Sequence, residues 1–287
     1  MKRGKRIILL ILGVFALLIA GTAIGFNIPY SPAQSEFAKL TSYQLTKMPT
    51  PNGMFTTEDI SELPSPVQKH FQYCGFIGTP KMSCMKIDYN NVDFVLSPDK
   101  PRLKIKYTQF NFVDEPERIA LIDTSMYGIP FEGIDAYQNG VGSMKGVIAK
   151  VFTLFDQKGE AMDKASLVTC LAESLLLPNL ALQEYISWEE IDEIHAKAAI
   201  TYYGISASGI FTFDDNGAMT CFTTDDREYA DTNGNTQQVR WSAVCADYKD
   251  ANGVKCPTTL KAVWHFETGD LVYFDGRDIV IKYNLVK

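Results

Sequence analysis

The distribution of apolar and charged positions sets the start of the chain apart from the rest. Four basic residues occur among the first six, and no charge follows from Ile7 to Phe26. An apolar run of about twenty residues is long enough to cross a bilayer as a helix. We predict a transmembrane signal anchor over residues 1–26. Small residues such as Gly21 and Ala23 leave a cleaved signal peptide as the alternative.

A proline-rich segment comes next and is followed by a short amphipathic helix. Residues 27–55 carry prolines among polar residues, which is typical of a tether. Ser65 can cap the helix, and Gly75 suits its left-handed end. The apolar side of this helix consists of Val67, His70, Phe71 and Cys74. We assign residues 56–287 to one extracytoplasmic domain.

Strand-like alternation begins near residue 82 and continues to residue 137. The segment LKIKY (103–107) alternates apolar residues with lysines, as a half-buried strand does. The alternation changes parity at Thr108 and Gln109, where a β-bulge would explain the change. The following residues predict two further strands, joined by a turn at 127–130.

Between residues 142 and 192 the pattern favours helices. We predict three of them, over residues 143–155, 163–177 and 188–196. Pro178 ends the second helix. Ser187, with Glu190 three residues later, has the capping-box spacing for the third.

After Ala196 the chain again predicts strands, which are separated by strong turn signals. These signals are Asn216–Gly217, Asn233–Gly234, Asn252–Gly253 and Thr268–Gly269. Strands joined by such hairpins are antiparallel. The order of strands, helices and strands therefore predicts an α+β fold. In this fold a large curved antiparallel β-sheet, half-barrel-like, wraps over an inserted helical segment.

The second predicted helix contains one narrow polar stripe, formed by Ser166, Thr169 and Glu173. The other positions are almost all apolar, so the helix should be mostly enclosed. A buried carboxylate needs a partner, because without one it is strongly destabilising or takes up a proton. Arg118 and Arg227 are the candidates. Glu173 is then either a solvated or ion-paired structural residue or, with an arginine, the polar end of a ligand cavity.

The net charge and the positions of the basic residues limit the partners and the cellular compartment that we expect for the chain. The net charge of −7 and the pI near 5.1 give no electrostatic basis for nucleic-acid binding. The first basic residue after the apolar run is Lys39. The positive-inside rule therefore predicts a single-pass membrane protein with a cytoplasmic N-terminus and an extracytoplasmic domain. Disulfides are permitted there, with Cys74–Cys84 and Cys245–Cys256 as the close pairs, and buried free thiols are the alternative.

The sequence lacks the motifs of common enzymes. His70, His195 and His265 are scattered, and neither HExxH nor a phosphate-loop GKS or GKT ending occurs. The segment GISASG (204–209) does not satisfy the nucleophile-elbow pattern GxSxG. We therefore expect no metal and no cofactor, and assign no catalytic residue. A curved sheet closed by helices can instead leave an apolar cavity.

A series of motifs resembles an uncharacterised bacterial domain-of-unknown-function family of exported or membrane-anchored proteins. The motifs are LPSPVQKHFQYCGFIG (63–78), PERIALIDTSMYGIPFEGIDAYQNGVGSMKGVIAK (116–150), LAESLLLP (171–178), ISWEEID (186–192), GIFTFDDNGAMTCFTTDDR (209–227), WSAVCADYKDANGVKCP (241–257) and VWHFETGDLVYF (263–274). By looser analogy the layout is similar to LolA/LolB-type lipoprotein carriers, which hold acyl chains between sheet and helices. The resemblance implies a ligand-binding site formed by Arg118, Glu173, Trp188, Arg227, Trp241 and Tyr248.

These observations support three hypotheses. The favoured one is a membrane-tethered, non-catalytic domain that binds a lipophilic ligand or a lipidated partner in an apolar cavity. The first alternative is an envelope scaffold or interaction protein, which should expose an apolar patch of several hundred Å². The second alternative is a hydrolase of an envelope component that uses Glu173 with Arg118 or His195.

Overall fold

The computed structural model describes residues 2–96, 101–230 and 236–285. The helices are α1 (Lys2–Asn27), α2 (Pro32–Lys47), α3 (Ser65–Cys74), α4 (Glu160–Ala172) and α5 (Pro178–Ala181), with 3-10 turns at Glu58–Ile60 and Ser174–Leu176. The strands are β1 (Cys84–Phe94), β2 (Leu103–Phe112), β3 (Arg118–Met126), β4 (Ile129–Gln138), β5 (Val141–Ile148), β6 (Phe152–Lys158), β7 (Ile186–Asp192), β8 (His195–Tyr202), β9 (Ile205–Phe213), β10 (Met219–Thr224), β11 (Glu228–Ala230), β12 (Thr236–Gln238), β13 (Arg240–Ala251), β14 (Val254–Phe266), β15 (Gly269–Arg277) and β16 (Val280–Tyr283).

Fourteen of the described strands form one antiparallel sheet. Its order is β6-β5-β4-β3-β2-β1-β15-β14-β13-β10-β9-β8-β7, and β16 pairs with β1 beside β15. The strands β11 and β12 pair separately as a short ribbon. The edge strands β6 and β7 do not pair with each other, so the sheet is not a closed barrel.

The sheet curves around helix α4. This helix contacts β4, β5 and β6 near one edge of the sheet and also β8 and β9 near the other edge. A single helix can reach both edges only if the sheet bends around it. The predicted α+β fold, a half-barrel-like antiparallel sheet over an inserted helical segment, is therefore confirmed.

Close packing holds α4 on the sheet. Leu167, Val168 and Leu171 are fully buried in the main core. On the side of β5, a Cβ atom at Gly142 would overlap the Met162 carbonyl group and lie 2.6 Å from Ser166 Oγ. Glycine at this position therefore allows the backbone of β5 to approach the helix directly.

Helix α3 forms where the sequence predicts a helix. Val67, His70, Phe71 and Cys74 are all buried, and Gly75 ends the helix with a φ of 76°. The proposed cap is wrong, however, because Ser65 is already helical and Pro64 occupies the cap position without a side-chain hydrogen bond. The pyrrolidine of Pro66 fits this first turn, where no intrahelical N–H bond is needed.

Two of the three helices predicted between residues 142 and 192 are strands. Residues 143–155 form most of the β5–β6 hairpin, whose turn uses positive φ angles at Ala149 and Lys150. Residues 188–196 form β7 and the start of β8, and the turn between them is closed by a hydrogen bond from Ile194 N to Asp192 Oδ1. Pairing with β4 and β8 decides these segments, because cross-strand bonds override a helix-like local pattern.

The middle prediction, a helix over residues 163–177, is nearly correct. Helix α4 starts earlier, at Glu160, and passes at Glu173 into the 3-10 turn Ser174–Leu176 before Pro178 opens α5. Glu173 thus lies at the C-terminal cap of α4, where the chain narrows into a tighter turn.

The change of parity in β2 has a cause other than the predicted bulge. The pairing of β2 with β3 is regular, and the register shift lies in β1, between Tyr89 and Val92. Both faces of β2 are buried at this end. Phe110 and Phe112 pack in an outer cluster with residues of α2, whereas Gln109 faces inward toward Glu173.

Helix α2 covers the outer face of the sheet, within the segment predicted as a tether. The rings of Phe37 and Phe110 lie 5.9 Å apart, and Ala33 packs beside Ile134 of β4. The side-chain amide of Gln34 donates to Glu132 at 2.9 Å. Much of residues 27–55 is therefore a helix docked on the domain, because its apolar side finds the outer faces of β2 to β4.

The remaining local predictions concern turns, cysteines and the anchor. Hairpin turns are present at Asn216–Gly217, Asn252–Gly253 and Thr268–Gly269 and near Tyr127, whereas Asn233–Gly234 lies outside the described residues. All six cysteines are free thiols. Helix α1 is apolar and long enough, by length and composition, to cross a membrane.

Candidate functional site

A cavity of about 210 Å³ lies between the concave face of the sheet and the end of α4, and it is partly open to solvent. Strands β1 to β5 and β13 to β15 contribute to its walls. Thr169, Ala172, Glu173 and Leu176 close it from the helical side. The cavity therefore occupies the place where the curved sheet and the inserted helical segment meet.

Most of the cavity wall is apolar. Alternate residues of one strand share a face, and Trp241, Ala243 and Cys245 of β13 line the cavity in this way. Aromatic packing continues the wall on the other side, where the rings of Tyr89 and Phe274 lie 5.4 Å apart in an edge-to-face arrangement. Such a surface favours an apolar guest over water.

A network of polar side chains forms one end of the cavity, and Glu173 is at its centre. Its Oε2 atom accepts hydrogen bonds from the side-chain amides of Gln109 and Asn111, both at 2.7 Å. Arg118 Nε lies 3.3 Å from the same oxygen. The carboxylate is thus placed by β2 and β3 from one side and by the end of α4 from the other.

Arg118 connects this carboxylate to a second one. Its Nη1 donates to Asp135 Oδ2 at 2.8 Å, and its Nη2 donates to the hydroxyl of Tyr107 and, at 3.1 Å, to Gln109 Oε1. Tyr107 in turn donates to Asp135 at 3.1 Å. Arg118 side-chain exposure is only 7%, so these partners replace the water that the guanidinium has lost.

The two charges of this pair respond differently to burial. Burial raises the pKa of Glu173, and the nearby Arg118 guanidinium opposes this shift without cancelling it. For Arg118, burial alone lowers the pKa, but Asp135, Tyr107 and Glu173 outweigh it and hold the pKa well above its ordinary value. Arg118 therefore stays charged, and the Glu173 carboxylate takes up a proton more readily than an exposed glutamate does.

Arg227 is the second cation of the cavity, and its environment differs from that of Arg118. Its Nη1 donates to Thr169 Oγ1 at 3.0 Å, and its guanidinium carbon lies 4.7 Å from the ring centre of Trp241. No carboxylate pairs with Arg227 in the described part of the chain, and its buried Nε has no hydrogen-bond partner there. A positive charge that faces the cavity is thus left without a counter-ion among these residues.

The structure brings four of the six predicted ligand-binding residues together. Arg118, Glu173, Arg227 and Trp241 all line the cavity. Trp188 lies elsewhere, with its indole donating to the Ala181 carbonyl at 2.9 Å. The hydroxyl of Tyr248 donates to the Met219 carbonyl at 2.9 Å, beside α3 and outside the cavity lining. For these two residues the contacts observed are those of core packing.

Sequence reasoning missed three polar members of the site: Tyr107, Gln109 and Asp135. The signal that could have found Gln109, and Asn111 beside it, is the change of parity in β2. Polar residues at inward positions, Gln109 and Asn111, indicate that the inside of the sheet changes from apolar to polar at that point. Asp135 carries no such local signal, because only the pairing of β3 with β4 brings it near Arg118.

The cavity combines apolar surface with polar groups that can hold a ligand. In the described residues no three His, Cys, Asp or Glu side chains cluster as metal ligands. His195, the histidine of the hydrolase hypothesis, lies outside the cavity lining, and its Nδ1 is 2.9 Å from Asp192 Oδ1. The arrangement thus offers an apolar volume, one paired arginine and one arginine available for a ligand.

Comparison with solved structures gives distant likenesses. A LolA superfamily protein from Nitrosomonas europaea matches with a TM-score of 0.40 and 11% identity over 77% of this chain and 94% of its own. A DUF1329 family protein from Desulfovibrio piger matches with a TM-score of 0.32 and 10% identity over 81% of this chain and 95% of its own. A domain from Vibrio parahaemolyticus, described as an outer membrane lipoprotein-sorting protein domain, matches with a TM-score of 0.29 and 13% identity over 72% of this chain and 86% of its own.

Sequence comparison identifies the family. No curated protein matches the chain. A family of unknown function, DUF6544, matches residues 53–276, which include α3, the whole curved sheet up to β15 and the helical segment. The match confirms the resemblance to a domain-of-unknown-function family that the motifs predicted. Because it covers most of the chain, the protein belongs to the DUF6544 family.

Proposed function

We propose that this protein is a membrane-tethered extracytoplasmic domain that binds a lipophilic ligand in the cavity and does not convert it chemically. The observation that carries the proposal is the contrast within the cavity. Its wall is mostly apolar, and it is also lined by Arg227, which lacks a counter-ion among the described residues. An amphiphile with an apolar tail and an anionic or polar head matches both parts.

The size of the cavity limits the ligand. An apolar cavity of about 150 Å³ accommodates benzene, whereas drug-sized ligands occupy pockets of about 300–1,000 Å³. The observed 210 Å³ lies between these values. It fits one segment of an acyl chain or a comparably small apolar group. A lipidated protein that inserts one chain is the other form of the same ligand class.

The membrane part of the proposal rests on helix α1. The four basic residues precede its apolar run, which supports the proposal that α1 is a signal anchor with the N-terminus in the cytoplasm. The proposed division is an anchor over residues 1–26, a connecting segment over 27–55 and a single domain over 56–287. Within the connecting segment, α2 is docked on the sheet.

Native mass spectrometry of the full chain, released from nanodiscs, tests this function. We expect the protein to retain a lipid or fatty acid of defined mass. Ala243→Phe places a ring in the cavity and should abolish the adduct. Ala199→Phe is the matched control, because Ala199 is also a half-buried strand residue but lies outside the cavity lining. No adduct in the wild type, or equal adducts in both variants, would overturn the proposal.

A further inference from the structure

Outside α1, exposed large apolar side chains cluster on two neighbouring hairpins. Tyr127 and Ile129, at the β3–β4 turn, are 90% and 38% exposed. Val151, Phe152 and Leu154, at the β5–β6 turn and on edge strand β6, are 70%, 66% and 54% exposed. We call these five residues the hairpin patch. Single exposed apolar residues are ordinary on protein surfaces, but a cluster of large ones marks an interaction surface.

Backbone contacts make the two turns one surface. The amide of Ala149, at the β5–β6 turn, donates to the Pro130 carbonyl at 2.7 Å, directly after the β3–β4 turn. Phe131 and Ile148 are paired in the register of β4 and β5. The two turns therefore end at the same level of the sheet and project together.

The hairpin patch lies beside the end of α1. Lys150, between the two exposed clusters, donates from Nζ to the carbonyl of Ile28 at 2.5 Å, one residue after α1 ends. Only residues 28–31 separate α1 from α2, and α2 is docked on the sheet through Phe37 and Gln34. The domain is therefore fixed close to the end of the apolar helix.

We infer that the hairpin patch inserts into the interfacial layer of the membrane that α1 spans, beside the point where α1 leaves it. The inference rests on the proposed role of α1 as a membrane anchor. Aromatic side chains with an apolar body favour this layer, and Tyr127 and Phe152 are of this kind. The Nζ of Lys150 lies at the same level, where phosphate groups accept hydrogen bonds from ammonium groups.

As a consequence, the domain is in contact with the bilayer surface and is not held away from it by a flexible linker. Two attachments, α1 and the hairpin patch, hold the same end of the sheet against the headgroups. A lipophilic ligand then reaches the domain from the interfacial layer and does not cross a wide aqueous gap.

Tryptophan quenching by brominated lipids tests the insertion. The full chain is placed in phosphatidylcholine nanodiscs whose acyl chains are brominated close to the headgroup. Phe152→Trp adds a reporter in the hairpin patch, and Tyr127→Trp adds a second one at a side chain that is almost free of contacts. Val141→Trp is the control, because Val141 is exposed at the other end of β5.

We expect the emission added by Phe152→Trp and Tyr127→Trp to be mostly lost in brominated nanodiscs, and the emission added by Val141→Trp to be retained. Equal quenching at all three positions, or none at any of them, would overturn the inference. Failure of the full chain to enter nanodiscs would also overturn it, together with the anchor. If the mass spectra show a retained ligand but the reporters are not quenched, only the insertion of the hairpin patch is rejected. The proposed ligand-binding function then stands.

Discussion

Arg118 and Glu173 form an ion pair in the interior of the protein, with Nε and Oε2 3.3 Å apart and side-chain exposures of 7% and 14%. The pair joins the start of β3 to the end of α4, and Asp135 extends it to β4. It therefore fixes the helical segment against the sheet at the polar end of the cavity. Its energetic role can be separated from any role in ligand binding.

We predict that Glu173→Ala lowers the free energy of unfolding by about 2–4 kcal/mol, because the amides of Gln109 and Asn111 lose their acceptor and a buried guanidinium loses a counter-ion. Urea unfolding in detergent, followed by circular dichroism, measures the loss. Glu36→Ala, which breaks the exposed pair with Lys145, is the control and should cost less than about 1 kcal/mol. Similar losses in both variants would argue against a structural role for the buried pair.

His70 should make the fold sensitive to acid. The ring is buried, with Nδ1 2.9 Å from the Gly217 carbonyl, and burial lowers its pKa from 6.5 to about 4, although nearby Asp214 opposes the shift. Between these pH values the unfolded chain binds a proton that the folded chain does not. Stability contributed by neutral His70 is therefore present above pH 6.5 and is lost as the pH falls toward 4.

The expected loss from His70 is up to about 3 kcal/mol across this window, since one pKa unit corresponds to about 1.4 kcal/mol. His70→Gln cannot take up this proton. The difference in unfolding free energy between wild type and variant, measured by urea unfolding from pH 7 down to pH 4, should shrink as the pH falls. A difference that stays constant over this range would mean that His70 does not titrate between the two states.

A substitution at Gly142 tests the packing of α4 against β5. Gly142→Ala should destabilise the fold by about 2 kcal/mol or more, because the new Cβ meets the backbone of Met162, which cannot move without the helix. Gly133→Ala is the milder comparison, since its new Cβ would lie 3.2 Å from the end of the Ile122 side chain and 3.3 Å from the Lys145 carbonyl. Thermal unfolding should rank Gly142→Ala as the more harmful change, and the reverse order would place α4 differently.

Arg227 should recognise the charge of the ligand. We expect Arg227→Met to weaken binding of a fatty acid about tenfold, which corresponds to the loss of one charge-assisted hydrogen bond. Binding of the fatty alcohol with the same chain should change little. Fluorescence competition titrations with the two compounds measure the ratio. Equal weakening for both compounds would assign Arg227 to the packing of Trp241 and not to the head of the ligand.

The sequence contained enough information for the architecture and for the central pair. Turn dipeptides such as Asn252–Gly253 mark hairpins locally, because positive φ angles restrict the residues that can occupy them. The narrow polar stripe of α4 placed Glu173 in an enclosed position, and the cost of a buried carboxylate required a partner such as Arg118. Both inferences need only short-range pattern and electrostatics.

The parts that failed depend on contacts between distant segments. Residues 143–155 and 188–196 have patterns that a helix or a strand could satisfy, and pairing with β4 and β8 decides between them. Phe110 and Phe112 are buried on the outer face of β2 only because α2 docks there. Trp188 and Tyr248 match motifs of the resemblance, but they bond to the carbonyls of Ala181 and Met219 and do not line the cavity. Sequence spacing alone contains none of these relations.

The most direct test of the central claim is a titration of the solubilised chain with a brominated fatty acid, monitored by tryptophan fluorescence. Trp241 lines the cavity, whereas Trp188 does not. Trp264 pairs with Trp241 across β13 and β14 and is replaced by Phe in every chain of this titration. In that background we predict saturable quenching with Trp241 present, also after Trp188→Phe, and loss of most of the quenching in Trp241→Phe. Quenching that does not saturate, or that is unaffected by Trp241→Phe, would contradict a lipophilic ligand in this cavity.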